Sequence, residues 1–262
     1  MAYVMLSRVM ELSQLFIIGE LNGKKIYPDP KALEELKRMN DASINNNPSS
    51  WNNPEVTGLK ISVLNCGSLR SKVDDIRKDF ELCQSDIICL SETWLDENDE
   101  LLDLQIDNYS LHVNSVGRGK GVATYLRSNL FSPAMVIKED ELQVSMFTSI
   151  DIDVISVYRS NNCQLRFEDI FKTIVSKDKA ILIVGDMNIC YEKQRMDQNI
   201  QYLKSNNFKQ LVKSATHFHG GHIDHAYLAD PDSMFEKVDI EQYSPYYTAR
   251  DHDGLLITLM YK

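Results

Sequence analysis

Apolar residues along the larger, later part of the chain come in short runs separated by Gly, Asn, Asp and Ser. Runs rich in Val, Ile, Leu and Tyr predict strands at Leu59–Asn65, Asp86–Glu92, Tyr109–Asn114, Gly121–Arg127, Val144–Asp151, Ile152–Tyr158, Ala180–Gly185, Ile223–Leu228, Phe235–Tyr243 and Leu255–Tyr261. A helical period is rarer. Leu69, Val73, Ile76, Phe80 and Cys83 recur at spacings of three and four, which predicts a one-sided helix over Leu69–Gln84. Leu165–Val175 and Met196–Asn206 carry a similar stripe. So many strands against so few helices exclude a doubly wound sheet, which needs a helix at every crossover. Two packed sheets flanked by a few helices are expected instead.

The pattern breaks once. Asp41–Gly58 is rich in Asn, Ser and Pro and has no apolar period, so it is expected to be a linker. It divides a piece at 1–40 from a domain at 59–262. No internal repeat is present. No apolar run reaches the roughly 18 residues of a membrane span. Leu15–Ile18 is too short for the core of a signal peptide, and Arg8 and Glu11 precede it.

Composition adds two constraints. Hydrophobic residues make up 43% and charged residues 25%, as in an ordinary globular protein. The net charge of -10 counts against a large nonspecific DNA-binding surface, because Lys and Arg supply most affinity for phosphates. It leaves room for an enzyme whose acidic groups gather a metal. Five cysteines lie scattered without a Cys-x-x-Cys pair, which fits a reduced, intracellular compartment.

Residues capable of chemistry stand where apolar runs end. Asn65 closes Ile61–Leu64, Glu92 closes Ile87–Ser91, and Tyr158 closes Ile155–Val157. Asp186 and Asn188 follow Ile181-Leu-Ile-Val-Gly185, Asp224 lies within Ile223–Leu228, and Asp251 and His252 precede Leu255–Leu259. Groups at one rim of a sheet converge although they are distant in sequence. Carboxylate and amide oxygens form a hard site suited to Mg²⁺ or Mn²⁺, and zinc-type Cys/His spacing is absent. Phosphodiester hydrolysis needs charge neutralised, a water activated and a leaving oxygen stabilised, and such a set supplies all three. Each residue alone reads more simply. Glu92 would be a solvated strand end, Asn65 and Asn188 turn residues, Tyr158 half-buried packing, and Asp251–Asp253 an acidic loop. Their joint order makes the simple readings untenable.

That order resembles the endonuclease/exonuclease/phosphatase superfamily, whose fold is that of DNase I-like nucleases. Leu64-Asn-Cys-Gly-Ser-Leu-Arg-Ser-Lys72, Leu90-Ser-Glu-Thr-Trp-Leu95 and Gly121-Val-Ala-Thr-Tyr-Leu-Arg-Ser-Asn129 are most similar to endonuclease domains of retrotransposons and rolling-circle transposons. Gly185-Asp-Met-Asn188 after a strand, Thr216-His-Phe-His-Gly-Gly-His-Ile-Asp-His225 and Arg250-Asp-His252 complete the likeness. It implies an α/β (α+β) four-layer αββα sandwich of two mainly antiparallel sheets. It implies that Glu92 is the main metal ligand, with Asn65 beside it and Asp251 on the metal side. Tyr158 would contact the phosphate. Asp186 and Asn188 would orient water and phosphate, and Asp224 would orient His252. His252 would act as general base or stabilise charge, and Asp186 is the alternative base. Met187 stands where Phe is usual, and Arg250 where Ser is usual. His217, His219, His222 and His225 are read as structural, with His225 facing away from Asp224's side of the strand.

The first residues resemble the last motif of helicases carried by rolling-circle transposons, with Arg8 as the phosphate-sensing arginine. Without a phosphate-cradling Gly-rich loop, no ATP binding is expected. The expected activity is Mg²⁺-dependent nicking of DNA that leaves a 3′-hydroxyl. Asn65, Asn188, Arg70 and Arg127, together with the basic residues Lys72, Arg118, Lys120 and Arg159, are the candidate phosphate contacts. If DNA is the substrate, the nucleus is the expected compartment. Hydrolysis of inositol phosphates by the same fold, or a catalytically decayed copy, are the alternatives.

Overall fold

The computed structural model describes residues 58–262 except 128–129, 173–178, 246 and 248–250. The helicase-like segment with Arg8, the residues at 41–57 and Arg250 lie outside the described residues.

Two six-stranded sheets pack face to face. The first runs β11-β12-β1-β2-β4-β3 and the second β5-β6-β7-β8-β10-β9. Its strands are β1 (Gly58–Asn65), β2 (Ile87–Ser91), β3 (Tyr109–Asn114), β4 (Val122–Arg127), β11 (Phe235–Tyr243) and β12 (Gly254–Tyr261). The second holds β5 (Ser132–Glu139), β6 (Leu142–Thr148), β7 (Ile152–Arg159), β8 (Ala180–Asp186), β9 (Lys209–Gln210) and β10 (Asp224–Ala229). Within each sheet one central pair is parallel, β1 with β2 and β7 with β8, and the other pairings are antiparallel.

The period-two rows explain the layers. Leu59, Ile61, Val63, Ile87 and Cys89 of the first sheet meet Ile152, Val154, Ala180, Leu182, Val184, Ala226 and Leu228 of the second. The alternate residues face outward and are also covered. Leu64, Ile88, Leu90 and Tyr125 pack under α1 (Leu69–Ile76) through Leu69, Val73 and Ile76. Ile155, Val157, Ile181, Ile183 and Tyr227 pack under α2 (Phe167–Phe171) and α3 (Gln198–Ser205) through Phe167, Phe171 and Leu203. Strands covered on both faces have no polar side, so β2, β7 and β8 are buried throughout.

Two boundaries and one strand show where the fold departs from the sequence expectation. The first helix ends at Ile76, not Gln84, because Asp79 Oδ1 accepts from the amides of Glu81 and Leu82 and captures a turn. Phe80 is thereby turned outward. The run expected from Val144 to Asp151 ends at Thr148, where the Ser149 amide donates to Ile152 O in a tight turn. Strand β5 is an additional edge strand whose residues are mostly exposed, so no apolar alternation announces it.

Candidate functional site

The rows that build the inner core also aim the chemistry. Asn65 continues the row of Leu59, Ile61 and Val63 to the last position of β1. Tyr158 continues Ile152 and Val154, Asp186 continues Ala180, Leu182 and Val184, and Asp224 precedes Ala226 and Leu228. Parallel pairing places Asn65 beside Ser91 and Tyr158 beside Asp186. Antiparallel pairing sets Asp224 opposite Asp186 and starts β12 next to Val63. One rim therefore receives the ends of β1, β2, β7 and β8 and the beginnings of β10 and β12. Inner faces that are apolar in mid-sheet become polar there.

Gly185 makes the bend that delivers Asp186. Its φ is 134°, and a Cβ at this position would lie 1.9 Å from Val157 O in the neighbouring strand. Only glycine fits such an approach. Glu92 leaves its strand through a left-handed residue, φ 51°, and Asn188 turns the chain with φ 50°. Non-glycine residues in that region cost energy and gather where function holds them.

The side chains interlock. Asn65 Nδ2 donates to Asp186 Oδ2 at 3.1 Å and lies 3.4 Å from His252 Nε2. Asp186 Oδ1 accepts from the Asn188 amide at 3.0 Å, and Asn188 Nδ2 donates to Arg159 O at 2.9 Å. His252 Nδ1 meets Asp224 Oδ2 at 2.9 Å. Asp224 is itself held by Thr216, whose Oγ1 accepts from the amides of Asp224 and Ile223. Candidate ligand atoms of Glu92, Asp186 and His252 lie within 4.8 Å of one another.

Electrostatics follow from this crowding. Burial raises the Asp186 carboxyl well above the usual range, and the charges of Asp224 and Glu92 raise it further, against the opposing pull of His252 and the Asn188 amide. For His252, burial alone would favour the neutral ring. The hydrogen bond and charge of Asp224, with Asp186 and Glu92 beyond, outweigh it and raise the imidazole to about 9. Three carboxyl groups thus crowd one imidazole. A cation among them would relieve the mutual repulsion of the carboxylates, and this set of hard oxygen donors fits a divalent ion.

The remaining expected residues divide. Tyr158 is buried, and its hydroxyl donates to Gly119 O at 2.9 Å, so its proton ties down a loop rather than being free for a phosphate. Burial, then Glu92 and Asp186, keep that phenol protonated. Asp251 is exposed and stands outside the Glu92–Asp186–His252 group; its backbone carbonyl accepts from the Phe218 amide. His252, the next residue, meets Asp224 and lies in the Glu92–Asp186–His252 group. Arg70 is committed to Asp99 by a 2.8 Å ion pair on the surface. Arg127 is at the wrong rim. It ends β4, which runs antiparallel to β2, so it lies beside Asp86 at the start of β2. There it donates to Cys83 O, Ser85 O and Tyr109 Oη.

Two residues gain importance from the structure. His217 pairs with His252 in an isolated bridge, and their rings meet edge to face at 4.9 Å. Trp94 Nε1 donates to Glu92 Oε2 at 3.3 Å. Both lie inside the motifs Thr216–His225 and Leu90–Leu95 singled out in the sequence, where His217 reads as structural and Trp94 has no assigned role. His225 faces away as expected, bonded through Nε2 to Ile189 O and His222 O.

Residues 63–235 match the model of the family described as Endonuclease/Exonuclease/phosphatase. No curated protein matches by sequence. Among solved structures, an AP endonuclease from Archaeoglobus fulgidus is similar with TM-score 0.60 and 16% identity, covering 78% of this chain and 99% of that one. The endonuclease domain of TRAS1, a telomere-specific non-LTR retrotransposon, gives TM-score 0.57 and 11% identity over 78% and 99% of the two chains. A 3'-5' exonuclease from Neisseria meningitidis gives 0.58 and 17% over 78% and 100%. At such identities the likeness shows the fold.

Proposed function

Because the chain belongs to the endonuclease/exonuclease/phosphatase family, whose members hydrolyse phosphoester bonds, we propose that it is a Mg²⁺-dependent DNA endonuclease of transposon origin that leaves a 3′-hydroxyl and a 5′-phosphate. One observation carries this reading: Glu92, Asp186 and His252 converge within 4.8 Å, with Asp224 behind His252. The transposon-like wording of Leu90–Leu95 and Gly121–Asn129, and the nucleic-acid enzymes among the similar structures, support DNA over other phosphoesters.

Glu92 and Asp186, with Asn65 alongside, would hold the cation. When bound, the cation supplies charge neutralisation at the phosphoryl oxygens and a more acidic water. The chain supplies orientation. Asp186 has one hydrogen bond on each carboxylate oxygen, from Asn188 and Asn65, which fixes its remaining lone pairs toward an attacking water. Asp224 holds His252 Nδ1, so Nε2 is the atom that holds or moves a proton next to the phosphate. Among the described residues no helix is long and apolar enough to cross a membrane.

The test is substrate choice with product analysis. Supercoiled plasmid and a soluble inositol phosphate are each incubated with Mg²⁺ or EDTA, and nicks are probed for polymerase extension. Nicking with Mg²⁺ alone, at extendable ends, is expected. Hydrolysis of the inositol phosphate with intact plasmid would overturn the DNA assignment.

A further inference from the structure

We propose that Trp94 and Phe218 are nucleobase-stacking platforms on opposite flanks of the site, and that the chain therefore engages unpaired, single-stranded nucleotides in preference to closed duplex. The proposal rests on the nuclease reading above and names the form of nucleic acid the site takes.

In the strand order β12-β1-β2-β4, Asn65 and Glu92 occupy the middle. Trp94 stands on the β2–β4 side. It is two residues beyond Glu92, adopts the left-handed region with φ 58°, and stays 36% exposed. Its amide donates to Lys120 O, which zips its loop to the turn at Gly117–Gly121. The same turn is held from below by Tyr158 Oη on Gly119 O. It carries the exposed Arg118, whose guanidinium lies over the indole at 5.6 Å. One indole face is thus backed by a cation and its edge is fixed on Glu92, which presents the ring as a rigid surface.

Phe218 stands on the β12 side. It follows His217, which packs on His252, and its amide is fixed on Asp251 O. The phenyl ring is 77% exposed and packs edge to face on His219 at 5.3 Å. Leaving a phenyl in water costs hydrophobic free energy, and no core contact is served by its position beside the catalytic histidine.

Charge makes the same choice. Stacking on aromatic rings requires bases out of the duplex stack, whereas duplex binding draws on arginine and lysine contacts to phosphates. The net charge is -10. Near the rim, Arg70 is paired with Asp99, Lys120 with Asp140, and buried Arg159 donates to Ser160 O and Cys163 O. Among the described residues these three cations are committed elsewhere, and the two presented aromatic rings offer affinity for bases.

Trp51 is the only other tryptophan, so Trp51→Phe leaves Trp94 as the sole indole reporter. The chain of residues 1–262 in EDTA is titrated with a short single-stranded oligonucleotide of mixed sequence and with a hairpin duplex of equal length. Binding is followed by Trp94 fluorescence and by anisotropy of the labelled DNA. Saturable quenching is expected, with single strands bound about ten-fold tighter than duplex. Trp94→Leu and Phe218→Ala should each weaken single-strand binding by about ten-fold and leave duplex binding unchanged. Trp94→Phe keeps an aromatic face but loses the bond to Glu92, and it should restore single-strand binding. Binding without quenching, or equal loss on both DNA forms, would overturn the platforms. Cleavage of DNA with Mg²⁺ by the same preparation separates the two ideas. A chain that cuts but does not stack refutes only this inference, whereas one that neither cuts nor binds DNA refutes the nuclease reading as well.

Discussion

Gly185→Ala tests how the fold delivers the site. The added Cβ would sit 1.9 Å from Val157 O, 2.9 Å from Val157 C and 3.1 Å from Val157 N, against ordinary contact from 3.4 Å. All three neighbours are backbone of β7, so no side chain can swing away. Relief requires β7 and β8 to part at the pairs Val157↔Gly185 and Tyr158↔Asp186, in the centre of the sheet. Holding alanine at φ 134° costs about 1–3 kcal/mol. Each buried backbone hydrogen bond lost adds about 1–3 kcal/mol. A total near 4 kcal/mol is a large share of the roughly 5–15 kcal/mol that stabilises a domain. For a domain of this size it corresponds to a fall of about 10 °C in the unfolding midpoint. Urea and thermal unfolding followed by circular dichroism measure the loss, and nicking at a temperature where the variant is folded measures the site. Expected is a large destabilisation together with reduced activity, since Asp186 moves with the strand. A loss below about 1 kcal/mol with full activity would refute the steric reasoning.

Three further outcomes follow from particular contacts. Asp224→Asn keeps the shape of the pair with His252 but removes its charge, so single-turnover nicking by protein shown to be folded should fall on the order of 10²-fold or more, alongside a loss of thermal stability from the broken pair. Burial lowers His225 from 6.5 to about 4, so the native state holds it neutral. Its contribution to stability is complete above pH 6.5 and declines as pH falls toward 4, by on the order of 3 kcal/mol, because the unfolded chain takes the proton first. Urea unfolding across that range should show the decline, and His225→Gln, which retains a donor but never charges, should flatten it. Arg127→Ala should destabilise by about 1–3 kcal/mol through lost bonds to Cys83, Ser85 and Tyr109, yet leave the nicking rate of folded protein unchanged.

Much of this was legible because a strand's period is two. Once Ala180, Leu182 and Val184 are known to face the core, Asp186 must face the same way at the rim, and Asp224 follows by the same parity. His225 could be assigned to the outer face for the same reason. Arg127 was misplaced because strand direction is not written in a motif: the described part of that segment, Gly121 to Arg127, begins at the site and ends at the far rim. Asp251 was overvalued because neighbours on an irregular segment diverge, one turned in against Asp224 and the other exposed. Strand β5 was invisible because an edge strand with exposed faces, including Val136 and Pro133, has no core to impose alternation. The roles of His217 and Trp94 depend on contacts between loops, which no local pattern encodes.

Metal-dependent nicking by matched variants tests the central assignment most directly. Wild type, Glu92→Ala and His252→Ala are compared on supercoiled plasmid with Mg²⁺ and with EDTA, after unfolding curves confirm that each is folded. If the rim formed by Glu92, Asp186 and His252 is the hydrolytic centre, wild type nicks only with Mg²⁺ and each variant loses at least about 10²-fold in rate. Equal nicking by wild type and both variants, or no nicking by wild type at any Mg²⁺ concentration, would contradict it.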